Sequence, residues 1–206
     1  MLINQLFQNP LLFIVLTAAL IFALALHEFA HAYMAYLQGD PTAKQQGRLT
    51  LNPLAHLDPI GTLLLLFAGF GWAKPVPINP YNMKDPKKGS ALVSIAGPGI
   101  NLALAFASAG LLRLLLSLSV PIGGFLHAFL YFFGYYNVIL AVFNALPISP
   151  LDGFKFVRGV LPENLAQQWL QLAPYGTFIL IFLVLTDALD RILFPAVEMF
   201  FGIFGL

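Results

Sequence analysis

Two histidines and a glutamate sit near the end of an unbroken apolar run, in Leu24–Ala–Leu–His27–Glu28–Phe–Ala–His31–Ala–Tyr33. On a helix, His27 and His31 lie one turn apart and point the same way, so their imidazoles can hold one Zn²⁺. Glu28, one step further round, can reach a water on that metal and take its proton. The chemistry of such a trio is metal-assisted hydrolysis. The spacing works only on a helix, and Leu11–Leu37 supplies one: it contains no glycine or proline, with Pro10 before it and Gly39 just after it as start and stop signals. Leu11–Leu26 carries no charge, so the ligand turn sits on a segment apolar enough to span a membrane.

The bulk composition agrees. Of 206 residues, 59% are hydrophobic and 9% charged, with mean hydropathy +0.83. Soluble domains carry about 25% charged residues, so these few cannot cover a water-soluble fold of this size. The expected class is an all-α polytopic membrane protein, one domain over 1–206. A net charge of +1 and the lack of a basic patch with interleaved aromatics exclude nucleic acid as a partner. The absence of cysteine leaves histidine, carboxylate or carbonyl as metal ligands. Met1–Gln8 lacks a basic region, and a cleaved signal peptide would discard His27 and His31, so the first helix is read as retained. In lipid each exposed ionisable group costs roughly 2.5–3.5 kcal/mol. Three within five residues need a shared compensating partner, which a zinc ion with a water path provides.

The first span, 11–37, reaches roughly 40 Å at about 1.5 Å per residue and carries its ligand turn in the last third, below one membrane surface. A polar, turn-rich stretch follows, in which Gly47–Leu51 alternates as a short β-strand would. The run 60–70 covers only about 16 Å even as a helix, too short to cross. Pro75, Pro77 and Pro80 then forbid a continuing helix, so a re-entrant run and an extended return are expected. Lys44 and Arg48 before it, with Lys74, Lys84, Lys87 and Lys88 after it, put both flanks on the cytoplasmic side. Spans 89–118 and 125–146 follow, joined by Ser119–Gly124, which has no Lys or Arg, as a far-side loop should. A further span covers 168–186, and 192–206 reads equally as a short final span or an interfacial helix.

A catalytic zinc site needs a third protein ligand and an open position. Asp40, Asp58 and Asp85 lie in loops whose composition suggests exposure to water; Asp187 and Asp190 fall at the opposite surface in this topology. Asp152 ends the third span on the same side as the His27/His31 turn, and Gly153 after it permits close backbone approach. It is the best placed carboxylate. Glu163 is its main rival, and Glu198 depends on the disposition of the tail.

With these residues in view the chain resembles the site-2 protease family of intramembrane zinc metalloproteases, in its compact form without a PDZ or CBS domain. His27, Glu28 and His31 match the first family motif; Asn144–Ala–Leu–Pro147 with Leu151–Asp152–Gly153 matches the second. Asn52–Pro–Leu–Ala–His56–Leu–Asp58–Pro59, Gly71–Trp–Ala–Lys–Pro–Val–Pro77 and Ala96–Gly–Pro–Gly–Ile–Asn101 also resemble stretches of compact bacterial and archaeal members. The resemblance implies a site-2-protease-like transmembrane core, one Zn²⁺ per chain held by His27, His31 and Asp152, and Glu28 as general base. It also implies cleavage within or near transmembrane segments of membrane proteins; the charge bias puts the site toward the cytoplasmic side of the cell membrane.

Among the other polar residues, Asn144 is a candidate oxyanion or substrate donor, with a helix-end hydrogen bond to the proline-rich turn as the equal alternative. Asn52, His56 and Asp58 are read first as ordering their loop and second as shaping the site, and Asn101 as holding helices together. Gly71–Pro80 is available to pair with an unwound substrate strand. Two other functions accommodate His27 and His31: a membrane metal-binding or transport protein without hydrolysis, which leaves Glu28 no task, and an inactive homologue that binds membrane partners. The expected partners are single-pass or multi-pass membrane protein substrates and the lipid bilayer, with a homo-oligomer left open.

Overall fold

The computed structural model describes residues 2–68 and 71–206. Asn9 divides the N-terminal chain. Helix α1 (Leu2–Gln8) ends there, and the Asn9 side chain accepts the Leu12 amide at 3.1 Å to cap α2 (Pro10–Leu37). Helix α2 stops where Gly39 adopts a left-handed φ of 104°. Helix α1 lies outside the expected elements, because so short a segment displays no readable period.

The polar stretch folds into α3 (Thr42–Gln45), a 3-10 turn at Pro53–His56 and α4 (Pro59–Ala68). After α4 the chain returns beside the residues that precede it. Leu57 and Ala73 form an isolated antiparallel bridge, and the Lys74 amide donates to the His56 carbonyl at 2.9 Å. The two flanks of α4 therefore lie side by side. The last residues of the expected re-entrant run, Gly69 and Phe70, are outside the described residues.

Two expectations need correcting. Gly47–Leu51 forms no strand: its alternation meets no partner strand, and Arg48 instead turns inward to donate to the carbonyls of Lys74 at 2.6 Å and Pro75 at 3.0 Å. Asp40 is not in water but 0% exposed. Its carboxylate accepts the amides of Asn79 at 2.7 Å and Thr42 at 3.0 Å and the Asn82 side chain at 2.9 Å, tying the extended return to the end of α2. Burial alone would raise this carboxyl, but bonds from Thr42, Asn82 and Asn79 outweigh it and hold it below the ordinary carboxylate range.

Among the described residues, four helical stretches are long and apolar enough to cross a membrane: α2, α5 (Pro86–Ser117), α6 (Gly124–Ala145) and Glu163–Leu185. The last comprises α8 (Glu163–Leu170), a 3-10 turn at Ala173–Tyr175 and α9 (Gly176–Leu185). The protein is an all-α polytopic membrane protein. Helices α2, α5 and α6 pack mutually through small side chains such as the buried Ala19, Ala23, Ala32, Ala105 and Ala109. Helix α7 (Asp152–Val160) lies along α5. Helix α10 (Asp190–Phe204), not among the four long stretches, lays Val197, Phe200 and Phe201 against Ala105, Ala109 and Val138.

Replacing Asp40 with alanine leaves the donors of Thr42, Asn79 and Asn82 without this acceptor and is expected to cost about 1 kcal/mol or more, read as a lower unfolding midpoint in detergent. The folded carboxyl titrates below the unfolded one, so its contribution is complete above the unfolded value near about 3.9 and is lost as pH falls through the folded value.

Candidate metal centre

Helix α2 buries His27 and His31 on its packed face. Asp152 reaches them from the first turn of α7 rather than from a loop. A Cβ on Gly153 would overlap the carbonyls of Ala145 and Leu146, so only glycine lets this turn press against the end of α6. One oxygen of Asp152 then lies 2.9 Å from His31 Nε2 and 3.2 Å from His27 Nε2, and the two Nε2 atoms are 3.0 Å apart. The other oxygen accepts Lys155 Nζ at 3.1 Å. From the opposite side α5 presents Gly97, where a Cβ would overlap the rings of both histidines. The third side of the cluster is closed by the absence of a side chain.

The protonation of both rings follows from their outer partners. The Asn137 side-chain amide donates to the Phe133 carbonyl at 2.8 Å, which turns its Oδ1 toward Asn101. Asn101 must therefore present its Nδ2 there, at 2.7 Å, and that same nitrogen reaches the Ala23 carbonyl at 3.3 Å. Its Oδ1 then faces His27 Nδ1 at 2.5 Å and can only accept. His31 Nδ1 likewise donates to the Val93 carbonyl at 2.7 Å. Each imidazole thus carries a proton on Nδ1, so in its neutral form the Nε2 lone pair is aimed at a carboxylate oxygen.

Three acceptors facing one another require a cation, or a shared proton, between them. Two neutral imidazole nitrogens and a carboxylate oxygen are zinc donors, so the residues present fit that ion.

Glu28 follows His27 on the same turn of α2, partly buried. The other sequence candidates fall elsewhere. Asn52 caps the 3-10 turn through the Leu54 amide at 3.1 Å, the buried His56 donates to the Thr50 carbonyl at 2.8 Å, and Asp58 accepts the Gly61 amide at 2.8 Å at the start of α4. All three order the α3–α4 connection. Asn144 bonds back to the Leu140 carbonyl of its own helix at 3.1 Å, not to the proline-rich turn, while Pro147 lies in the connection from α6 to α7. Asn101 does more than join helices, since it grips His27. Asn137 is missed in the sequence, and Lys155 counts there only as a charge marking the cytoplasmic side. An amide in the middle of an apolar span, and a cation one turn after the candidate ligand, were the available signals.

Comparisons with known proteins give a family. The profile described as "Peptidase family M50" matches residues 115–185. A Bacillus subtilis protein named "Putative zinc metalloprotease YwhC" is 43% identical over 184 residues, covering 87% of this chain and 84% of that one. The chain belongs to peptidase family M50. "Putative zinc metalloprotease Rip2" of Mycolicibacterium smegmatis is 32% identical to this M50 chain, covering 94% of it and 75% of the relative. "Zinc metalloprotease MJ0392" of Methanocaldococcus jannaschii is 27% identical over 161 residues, which are 37% of that longer protein. No solved structure matches the M50 chain. Family and names together support a metalloprotease with zinc as its metal.

Gly97→Ala should favour the helix by about 1 kcal/mol on propensity alone, yet it drives a methyl group into both imidazoles. The expected outcome is unchanged helicity by circular dichroism with loss of zinc from the purified protein. Asn137→Ala, which touches neither histidine, is expected to weaken zinc binding about 10-fold or more through Asn101.

Proposed function

We propose that this chain is a zinc-dependent intramembrane endopeptidase, hydrolysing peptide bonds within or near transmembrane segments of membrane proteins. The observation that carries the reading is the convergence of His27, His31 and Asp152, with Glu28 alongside, on a helix apolar enough to span the bilayer. His27 Nε2, His31 Nε2 and Asp152 would hold one zinc ion. Bound there, it supplies Lewis-acid polarisation of a carbonyl and lowers the pKa of a water.

Glu28 then acts as general base, its carboxylate taking the proton of the attacking water and passing it to the leaving amine. Lys155 keeps the second oxygen of Asp152 occupied, so the first stays turned to the histidines. Asn144 is the candidate donor to the substrate carbonyl or backbone. A substrate helix hides its own carbonyls, so it must unwind locally before cleavage. The extended return after α4 is a suitable partner for that unwound strand. Lys44, Arg48, Lys74 and Lys84 lie between α2 and α5, Lys87 and Lys88 in the first turn of α5, and Lys155 and Arg158 on α7, whereas the α5–α6 connection has no Lys or Arg. That bias supports a site facing the cytoplasm.

A metal-binding protein without hydrolysis would give Glu28 no task. The separating experiment uses the purified chain in detergent with a transmembrane reporter. Glu28→Gln is expected to keep its zinc while cleavage falls about 10²–10⁴-fold; equal cleavage by that variant would overturn the assignment of the base. Chelation should abolish cleavage and added zinc restore it. Asp152→Ala should lose zinc, whereas Glu163→Ala and Glu198→Ala should retain it; the opposite pattern would move the third ligand.

A further inference from the structure

We propose that a basic groove beside the metal centre seats an extended, acidic segment of the substrate, so that the enzyme prefers aspartate or glutamate on the cytosolic flank of the scissile bond. This rests on the peptidase reading above and adds a substrate preference to it.

The groove is a cavity of about 540 Å³ between α5, α7, the start of α8 and the extended return. Val76 and Ile78 line it two residues apart, the period of an extended chain, before Pro80 and Tyr81 of the following 3-10 turn. Its two helical walls both lead to the centre. On α5, Lys87, Ser90 and Ser94 line it on successive turns, and Gly97, against the imidazoles, comes three residues further on. On α7, Arg158 and Lys155 line it, and Asp152 comes one turn further in. A peptide leaving the centre toward water along these two helices enters the groove.

Its charge is positive. Lys87, Lys155 and Arg158 line it against Glu163 as the lone acid. Lys87 is paired with Glu163 at 3.2 Å and Lys155 with Asp152 at 3.1 Å. Arg158 is exposed, and among the described residues no carboxylate lies within ion-pair distance of it. Arg158 and Lys155 are three residues apart, about 4.5 Å along the helix axis. Acidic side chains at alternate positions of an extended chain, about 6.6 Å apart, can reach both. Cations strung along a wall in this way suit a strand better than a single phosphate headgroup, which needs them to converge.

The test uses zinc-loaded enzyme in detergent and three single-helix transmembrane reporters whose cytosolic flanks carry three aspartates, three serines or three lysines. The acidic flank is expected to raise kcat/KM about three- to tenfold over the neutral one, with the gain shrinking as salt is added. Arg158→Glu should reverse the order while leaving the neutral reporter unaffected, and Arg158→Lys should preserve it. Equal cleavage of all three flanks, or an unchanged order in Arg158→Glu, overturns the proposal. If no reporter is cleaved, the peptidase reading fails separately. The groove is then judged by binding of fluorescent flank peptides to the Glu28→Gln chain, where the same order supports it and equal binding overturns it. A preference seen in phosphatidylcholine vesicles only when phosphatidylglycerol is present would make the groove a lipid seat and also overturn it.

Discussion

The Nε2 atoms of His27 and His31 and one oxygen of Asp152 come within 3.2 Å of one another, and each directs a lone pair into the space they share. In a buried setting that repulsion is only weakly screened, so the cluster holds together only around positive charge. Its surroundings serve this requirement. The chain from Phe133 through Asn137 and Asn101 keeps a proton on the outer nitrogen of His27, the Val93 carbonyl does the same for His31, and Lys155 occupies the spare oxygen of Asp152. Removing any of these keeps the three donors but disturbs their protonation or orientation, which is why such outer partners weigh heavily in metal affinity.

The need to bring three helices to one point explains the composition of their contacts. Helix α5 gives up helix propensity at Gly97 and an amide at Pro98, which cannot bond back to Ser94, on the stretch that touches the imidazoles. Gly153 does the same at the junction of α6 and α7. These are weaknesses in an isolated helix. Inside a bundle whose spans bond their own backbones in lipid, close approach is worth more than local propensity.

The polar connection between α2 and α5 contributes in a different way. Asp40, Arg48 and His56 are buried there. The His56 ring bonds to Thr50 within the connection, while the side chains of Asp40 and Arg48 and the backbone carbonyl of His56 bond to the extended return. The same segment forms one wall of the basic groove. Charged residues that composition alone would assign to a solvated loop instead fix the shape of the path that leads away from the metal centre.

Helix α2 with its histidine pair was legible because hydrophobic runs, missing glycines and a four-residue spacing are local properties of the chain. Charge bias and the count of spans also put Asp152 on the histidines' side. Residues far apart in sequence carried no such local mark. That Asp40 is buried depends on Asn79 and Asn82, that Gly47–Leu51 is no strand depends on the carbonyls of Lys74 and Pro75, and that Asn137 matters depends on an amide 36 residues earlier and a histidine beyond it. The sequence by itself determined which segments are apolar enough to span a membrane and which turn carries the imidazoles. Only the packing of α2, α5, α6 and α7 decided which nitrogen of each ring keeps its proton, because that choice belongs to partners supplied by other helices.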